Sequence, residues 1–524
     1  MGDHRTLPRP PFPPLPTDPG FWRSPLRGPW LTALLGVVLL LGITVLFVTG
    51  LLSYAAYNPD LAAPNDRTPD RGLLGFYLFA WPTDPYWLYR LTQGLHVTLG
   101  VVLVPVLLAK LWSVVPKLFT LPPARSAAHA LERISLLLLV GGVLFEFVTG
   151  LLNVQLDYLF PGSFYPLHFY GAWVFLSAFV VHVVLRLPKA LQALRNGAPR
   201  DFASGGTGGA RREERAARRY AADAERAGTG ESGTGEAGEG AAAGESAASG
   251  GQEERSAAGE YDEGGEYDGT GEHAGAEEYD RPGGRAAGGA PERAHEGARE
   301  PDLETGLVAP RPAAPTLTRR GALGAVGGGS VLLLAVTVGQ NFDGLPRRTA
   351  LLAPHGGPEP GTGANAFQIN KTAAAVGITD EETGAGWRLT LERPGGRTQR
   401  LSRADLLAMP QHSAALPIAC VEGWSTSDQH WSGVRLSDLA ELAGFDPRDG
   451  LPGVFVASLQ RSGAFRHAAL RDNQVRDPRS LLALRVGGED LSLDHGYPAR
   501  VIVPAAPGVH NTKWVQRLAF GADR

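Results

Sequence analysis

Four apolar stretches in the first 190 residues constrain the fold of this chain more than any other feature of its sequence. Each approaches or exceeds the roughly 20 residues that a helix needs to span the hydrocarbon core of a bilayer. They lie near Pro29–Leu52, Tyr86–Ala109, Glu132–Asn153 and Pro166–Leu187. We therefore expect an all-α, four-helix transmembrane bundle over residues 29–190. The tail over residues 1–28 is expected to be cytoplasmic, because it is too long and too rich in proline for the n-region of a signal peptide.

Basic residues are concentrated on one side of these stretches. The tail, the loop between the second and third stretches, and the segment after the fourth carry Arg5, Arg9, Arg23, Arg27, Lys110, Lys117, Arg125, Arg133, Arg186, Lys189, Arg195 and Arg200. The two remaining loops are poorer in basic residues. The positive-inside rule then predicts that the N-terminus and the segment after the fourth helix are cytoplasmic.

A six-residue repeat relates the first and third helices. The segment Phe-Val-Thr-Gly-Leu-Leu occurs at Phe47–Leu52 and again at Phe147–Leu152, which indicates that helices one and two are duplicated as helices three and four. In this duplication His96 of helix two matches His168 of helix four. Two facing imidazoles at similar depth can supply both axial ligands of a b-type haem. Each histidine is followed within about a turn by a glycine, Gly100 or Gly171, and these small residues are expected to leave room for the flat macrocycle. The alternative is that each histidine only makes a hydrogen bond between helices.

A further histidine and one carboxylate lie inside the same stretches. His182 follows His168 by about four turns on the same helix face. This spacing resembles the di-haem cytochrome b subunits of membrane formate dehydrogenases and hydrogenases, which implies His182 as a candidate ligand of a second haem, with His129 as its candidate partner. We expect one haem. Glu146 is a candidate quinol or proton site, and a hydrogen bond between helices is the alternative.

Residues 197–315 are rich in Gly, Ala, Glu and Ser and contain almost no aliphatic residues. Such a composition cannot form a packed core, so we predict a disordered acidic linker. Arg319 and Arg320 then precede an apolar, Gly-rich stretch over residues 321–340, the predicted fifth transmembrane helix. The arginine pair resembles a twin-arginine signal, and a plain anchor with two cytoplasmic arginines is the alternative. Both predict a multi-pass protein of the cell membrane with an extracytoplasmic C-terminal domain.

Composition excludes several classes of cofactor. The single cysteine, Cys420, rules out an intramolecular disulfide framework, a Cys-rich zinc site and an iron–sulfur cluster. The chain has no Cys-x-x-Cys-His segment, which excludes c-type haem, and the net charge of -4 gives no indication of nucleic-acid binding. A lone cysteine in a chain of this length is by default an inert core thiol.

Residues 365–524 show the pattern of a mixed α/β domain. Strands are predicted at Trp387–Leu391, Val454–Leu459 and Ala499–Val503, and helices at Ser402–Met409, capped by Ser402, and Arg435–Ala443. Cys420 ends a short apolar run and is followed by a turn that contains Gly423. The thiol is therefore expected at the end of a strand, where functional sites form.

The segment Leu416–Ser425 resembles the molybdenum-cysteine loop of the sulfite oxidase superfamily. Within that superfamily it is most similar to the bacterial molybdopterin oxidoreductases that include the periplasmic methionine-sulfoxide reductase catalytic subunit. Further segments agree in order: Phe367–Thr372, Ala457–Gln460, His495–Arg500 and Pro504–Trp514. The resemblance covers the C-terminal domain and implies a molybdenum–molybdopterin cofactor.

The resemblance also implies roles for individual residues. Cys420 would be the thiolate ligand of molybdenum and, with Arg500, a catalytic residue. The residues that fall where the family contacts the pterin and its phosphate are Asn370, Ser458, His495, Arg500, Asn511, Thr512 and Lys513. The chain departs from the family at His495, often an asparagine there, and at Thr372 and Ala373. Three arginines, Arg461, Arg466 and Arg471, either line a mouth for an anionic substrate or form a solvated face.

Together these features predict a membrane-bound, molybdenum-dependent oxidoreductase. Electrons would pass between membrane quinone, haem b and an extracytoplasmic site for oxygen-atom transfer on a small molecule or an oxidised protein side chain. The resemblance favours sulfoxide reduction. The alternatives are an oxidation like that of sulfite oxidase, feeding electrons to quinone, and a non-catalytic haem protein that relays electrons.

Overall fold

The computed structural model describes residues 26–61, 65, 79–118, 127–154, 164–196, 317–352, 363–461 and 466–521. The predicted Pro-rich tail up to residue 25, the predicted linker and the side chain of His129 lie outside these residues. The remaining predictions can be compared with the described helices, strands and side chains.

Five long helices form the N-terminal half and the segment after the linker. They are α1 (Pro29–Ala56), α2 (Leu88–Leu118), α3 (Ala127–Asn153), α4 (Tyr165–Arg195) and α5 (Arg319–Ala335). Each is long and apolar enough to cross a membrane, over the spans Pro29–Leu61, Leu88–Val114, Arg133–Asn153, Tyr165–Arg195 and Arg319–Asn341. All five predicted apolar helices are therefore present, and the structure is that expected of a membrane protein.

The helices expose their apolar side chains outward. Leu41 of α1, Val184 of α4 and Val331 of α5 are 65%, 68% and 65% exposed. Exposing so much apolar surface costs free energy in water, whereas it does not in the hydrocarbon core of a bilayer.

The helices pack as two hairpin pairs, α1 with α2 and α3 with α4, and α1 also packs on α4. The fifth helix packs on α2. It begins after Thr318, whose hydroxyl accepts the Gly321 N–H at 3.0 Å. Farther along, the Ser330 hydroxyl donates to the carbonyl of Val102 at 2.9 Å. The small residues of α5 thus let it lie close to α2.

The C-terminal domain contains two five-stranded sheets. The strands are β1 (Leu389–Glu392), β2 (Gln399–Leu401), β3 (His412–Leu416), β4 (Gln429–Arg435), β5 (Val454–Ser458), β6 (His467–Leu470), β7 (Leu481–Val486), β8 (Glu489–Asp490), β9 (Arg500–Ile502) and β10 (Val515–Phe520). The first sheet has the order β2-β1-β10-β5-β6, with β1 and β10 parallel. The second has the order β3-β4-β7-β8, and β9 pairs with β7. The largest apolar core includes Leu389, Val456, Leu484 and Leu518.

Two short helices precede the first strand, α6 (Leu345–Arg348) and α7 (Asp380–Thr383), and three lie between strands, α8 (Arg403–Ala408), α9 (Leu436–Leu442) and α10 (Asp472–Arg476). The prediction that Ser402 caps a helix is confirmed, because its hydroxyl accepts the Asp405 N–H and the Asp405 carboxylate accepts the Ser402 N–H. The strand predicted to begin at Trp387 begins at Leu389, because the Trp387 N–H is used in a turn with the carbonyl of Gly384.

The C-terminal domain contacts the helical half through buried polar groups. The Asn65 side chain bonds both the N–H and the carbonyl of Ala469 at 2.8 Å, and so takes the place of a neighbouring strand beside β6. The Trp81 indole donates to the carbonyl of Ala505 at 2.7 Å. Since buried hydrogen bonds of this kind are costly to leave unmade, they hold the domain in place against the helices.

Candidate active site

Cys420 lies in a tight turn after β3, where Ala419 and Ser425 form an isolated antiparallel bridge. The Cys420 N–H donates to the carbonyl of Trp424 at 2.8 Å, and the Gly423 N–H donates to the carbonyl of Cys420 at 3.1 Å. Gly423 has a φ of 92°, a conformation that glycine adopts without a steric penalty. The thiol is therefore held at a defined position, and the residue is 4% exposed.

The thiol faces a buried carboxyl group. The Cys420 Sγ donates to Glu422 Oε2 at 3.3 Å, and the Trp424 indole donates to the same oxygen at 2.8 Å. Burial raises the pKa of the Cys420 thiol and also that of the Glu422 carboxyl. Without a metal ion the buried thiol stays protonated, and a protonated thiol is a poor nucleophile. A bound high-valent metal would replace that proton.

Two cations lie near this turn, the buried Arg500 and the half-buried Lys513. Arg500 is 3% exposed and donates to the carbonyls of His495 and Asn511 at 3.0 and 3.1 Å. Lys513 donates to the carbonyls of Lys371 and Asp494, both at 2.8 Å. Burial lowers the pKa of Arg500 to about 9 and the pKa of Lys513 well below its usual value. Within the described residues, neither cation forms an ion pair with a carboxylate.

The other predicted pterin contacts surround these cations, with different local roles. The Asn511 Oδ1 accepts the Val503 N–H at 2.8 Å, and the Ser458 hydroxyl donates to the carbonyl of Lys513 at 2.7 Å. Thr512 is buried beside them, whereas Asn370 is exposed.

Both ring nitrogens of His495 already have partners in the protein. The Nδ1 atom lies 2.7 Å from the Ser492 hydroxyl, and Nε2 lies 3.1 Å from the carbonyl of Phe367. Burial lowers the pKa of His495 to about 3, so the ring is neutral. In the described structure His495 ties the Phe367 segment to the site.

Two further residues of this region, Lys371 and His510, have no role predicted from the sequence. Lys371 is half-buried, and its carbonyl accepts the Lys513 ammonium group. His510 is 1% exposed, and neither of its ring nitrogens has a hydrogen-bond partner among the described residues. Burial lowers the pKa of His510 to about 3. Both residues lie inside segments that resemble the sulfite oxidase superfamily, and this position is the one feature of the sequence that points to them.

The three arginines suggested for a substrate mouth have other partners. Arg461 pairs with Glu382, and Arg466 donates to the carbonyl of Arg461. Arg471 pairs with Asp60 of the helical half. Arg471 thus belongs to the contact between the two halves.

The arrangement fits an anionic metal–pterin cofactor. Among the described residues, Arg500 and Lys513 donate only to backbone carbonyls, and the Nε of Arg500 and the Nδ2 of Asn511 are buried without a partner. A phosphate-bearing ligand would supply both the missing negative charge and the missing acceptors. Cys420 would supply the thiolate ligand to the metal.

A second candidate site lies between the membrane helices. A cavity of about 280 Å³ is lined by His96, His168, Glu146 and Gln93, and also by Val421 of the cysteine turn. The imidazole rings of His96 and His168 are perpendicular, with their centroids 6.2 Å apart. The duplication therefore brings the two predicted haem ligands together at one cavity.

The two histidines are oriented in matching ways by the repeated segment. His96 Nδ1 lies 3.1 Å from the Thr49 hydroxyl and 2.9 Å from the carbonyl of Leu46. His168 Nδ1 lies 3.0 Å from the Thr149 hydroxyl and 3.1 Å from the Glu146 carboxyl. Because Nδ1 is engaged in both rings, Nε2 is the nitrogen left for another ligand.

Two glycines of the repeated segment, Gly50 and Gly150, allow the histidine rings to approach the backbone closely. A Cβ at Gly50 would lie 3.2 Å from His96, and one at Gly150 would lie 3.3 Å from His168. Gly100 lines the cavity, as expected. The expectation that Gly171 leaves room for a macrocycle is wrong, because that space is filled by the side chains of Glu146 and Phe145.

His182, the candidate ligand of a second haem, is half-buried on α4. Lys110 is close enough to interact with it electrostatically. Lys110 donates to the carbonyl of Thr32 at 2.6 Å. Since the side chain of His129 is not described, the second haem stays a prediction.

Comparisons with known proteins concern the C-terminal domain. A family model described as "Oxidoreductase molybdopterin binding domain" matches residues 375–524. The mitochondrial sulfite oxidase of Rattus norvegicus is 31% identical over 152 residues, which covers 25% of this chain and 28% of the relative. The uncharacterized oxidoreductase YuiH of Bacillus subtilis is 32% identical over 134 residues, which covers 26% of this chain and 65% of the relative.

A solved structure, the sulfane dehydrogenase SoxCD from Paracoccus pantotrophus, is 24% identical with a TM-score of 0.23, covering 26% of this chain and 38% of that one. The chain spans between about a quarter and two thirds of the length of the two curated relatives named above. The match includes Cys420, Arg500 and Lys513. Residues 375–524 therefore match a molybdopterin-binding oxidoreductase domain, and they are similar in sequence to sulfite oxidases.

Proposed function

We propose that the chain is a membrane-bound molybdenum oxidoreductase in which a haem b exchanges electrons with membrane quinone and with the molybdenum site. One observation carries the proposal: Val421, the residue after Cys420, lines the cavity that contains His96 and His168. A metal held by the thiol and a haem held by the histidines would then be neighbours.

The geometry of the two histidines supports the haem. Imidazole nitrogens bind transition metals at about 2 Å, so two imidazoles that shared one metal ion would have ring centroids roughly 6 Å apart. The observed separation is 6.2 Å. Ligating histidines commonly donate Nδ1–H to a carbonyl or carboxylate, as the partners of His96 and His168 would allow.

In the molybdenum site, Cys420 would bind the metal, and Arg500 and Lys513 would neutralise the cofactor phosphate. Asn370, Ser458, His495, Asn511 and Thr512 would complete the pterin site. The bound cofactor supplies two-electron oxygen-atom transfer. The buried turn from Cys420 to Trp424 excludes water from the sulfur and fixes its direction.

The reaction proposed first is reduction of a sulfoxide, on a small molecule or an oxidised protein side chain. It consumes two electrons and two protons and yields a sulfide and water, with membrane quinol as the electron source. The second candidate is the reverse flow, an oxidation that delivers two electrons to quinone. The similarity to a protein named sulfite oxidase favours that candidate.

The proposed topology places the N-terminus and the linker in the cytoplasm and the C-terminal domain outside. It rests on the distribution of basic residues and on the five apolar helices. Arg319 and Arg320, at the start of α5, would stay on the cytoplasmic side, whether or not export uses the twin-arginine route.

The experiment follows the absorbance of the haem in the purified full chain. The protein is reduced with dithionite and mixed with methionine sulfoxide or trimethylamine N-oxide. Separately, the oxidised protein is mixed with sulfite. Rapid reoxidation by an oxide supports the first candidate, and reduction by sulfite supports the second. Haem that reacts in neither direction, in protein that contains molybdenum, would refute the electron exchange.

A further inference from the structure

One face of α2 contacts the cysteine turn at three points. The Arg90 guanidinium donates to the Ser425 hydroxyl at 3.1 Å, and the Gln93 amide donates to the carbonyl of Val421. Val97 packs against Gly423 so closely that a Cβ on this glycine would lie 2.5 Å from the Val97 side chain. Positions 90, 93 and 97 follow one another on a single helical face. The helix that carries His96 therefore also holds the turn that carries Cys420.

Gln93 is itself fixed by the helical half. Its Oε1 atom accepts the Ser53 hydroxyl at 2.7 Å, and the residue is 8% exposed. Ser53 lies one turn after Thr49, which contacts His96. The side chain that reaches the turn and the ring that faces the cavity are thus positioned by the same pair of helices, α1 and α2.

The duplicated half carries different residues at the matching positions. The positions on α4 that correspond to Gln93 and Val97 are Tyr165 and Phe169, in the register that matches His96 with His168. Tyr165 packs on Tyr57 with ring centroids 5.8 Å apart, and Phe169 packs on Tyr54 at 4.5 Å. The repeat therefore departs from its symmetry at the face where α2 meets the C-terminal domain.

We propose that Arg90, Gln93 and Val97 position the Cys420–Ser425 turn as the passage for electrons between the cavity and the cysteine site, with the Gln93–Val421 hydrogen bond as its central contact. This inference rests on the proposed function. Each passage would move one electron from one bound redox centre to the other, without making or breaking a bond. Two such passages would balance the two electrons of one oxygen-atom transfer.

The test compares Gln93→Met with the wild type as full-length, detergent-solubilised protein. Methionine keeps the volume of glutamine but cannot donate to the carbonyl of Val421. Gln93→Glu is a second variant, which keeps the acceptor for Ser53 and, while its carboxyl group is ionised, also lacks the donor. Asp84→Asn is the matched control, because Asp84 pairs with Arg479 at the contact between the two halves and does not touch the turn.

Three quantities are measured: the molybdenum and haem content per chain, the amide hydrogen exchange of residues 420–425, and the rate of the haem reaction. The haem reaction is the change in haem oxidation state after mixing with methionine sulfoxide or with sulfite. The reagent used is the one that reacts with the wild type. We expect both Gln93 variants to slow the haem reaction by about tenfold, since one net hydrogen bond changes the population of a loop conformation by up to about that factor. Exchange of the turn should rise, and metal and haem content should not change. Asp84→Asn should behave as the wild type.

A haem reaction in the Gln93 variants as fast as in the wild type would overturn the inference. An equal slowing in Asp84→Asn would overturn it as well, because docking as a whole would then be responsible. Wild-type protein that lacks haem or molybdenum would instead refute the proposed function, so the two failures are distinguishable.

Discussion

The buried imidazole of His510 makes the stability of the C-terminal domain depend on pH in a calculable way. The ring is 1% exposed, and burial lowers its pKa from 6.5 to about 3. Between these two values the folded state keeps His510 neutral while the unfolded state binds a proton. The free energy of unfolding therefore falls as the pH falls from 6.5 towards 3. The full loss is about 5 kcal/mol, of which about 2 kcal/mol has developed at pH 5.

The perturbation is His510→Phe, which keeps a ring against Tyr57, whose centroid lies 5.9 Å from that of His510. The cofactor-free full chain, made in a host that does not synthesise molybdopterin, is unfolded with urea at pH 7, 6 and 5 while tryptophan fluorescence is recorded. The wild type should lose about 2 kcal/mol more stability than the variant between pH 7 and pH 5. His495 contributes a similar slope to both proteins and cancels in the comparison. Equal pH dependence of the two proteins would refute the reasoning, because it would mean that His510 is solvated or paired.

Three further predictions concern single residues. Cys420→Ser should leave the thermal unfolding midpoint of the cofactor-free protein within a few degrees of the wild type but abolish molybdenum binding, as measured by elemental analysis. Lys513→Met should lower pterin content, measured by fluorescence after oxidation and release, and should stabilise the cofactor-free protein at pH 7, because a buried ammonium group with a lowered pKa is removed; a loss of stability would contradict the placement of Lys513. Asn65→Leu should destabilise the C-terminal domain by about 1–3 kcal/mol in urea titrations, since it leaves the N–H and the carbonyl of Ala469 unpaired; an unchanged midpoint would show that this contact is absent in solution.

The membrane helices and the capped α8 could be predicted from sequence because their signals are local. Apolar runs longer than a bilayer and the Ser402–Asp405 capping pair need no knowledge of tertiary contacts. The pairing of His96 with His168 was also accessible, because the repeat that contains Thr49 and Thr149 relates the two helices.

The contacts between the two halves could not be predicted. Gln93 and Val421 are 328 residues apart in sequence, and Asn65 and Ala469 are 404 apart. No periodicity or composition connects such positions, and the contacts arise only when the domain lies on the helices. The prediction that Gly171 leaves room for a macrocycle failed for the same reason. The side chain of Glu146, which occupies the space beside this glycine, comes from another helix.

We propose that one chain holds molybdenum at Cys420 beside a haem at His96 and His168. The most direct test is the molybdenum and haem b content of the purified full chain, made in a host that synthesises molybdopterin and haem. We expect about one molybdenum and at least one haem b per chain, with molybdenum lost in Cys420→Ser and haem lost in His96→Ala and in His168→Ala. Wild-type protein with haem and no molybdenum, or a His168→Ala variant with an unaltered haem spectrum, would contradict it.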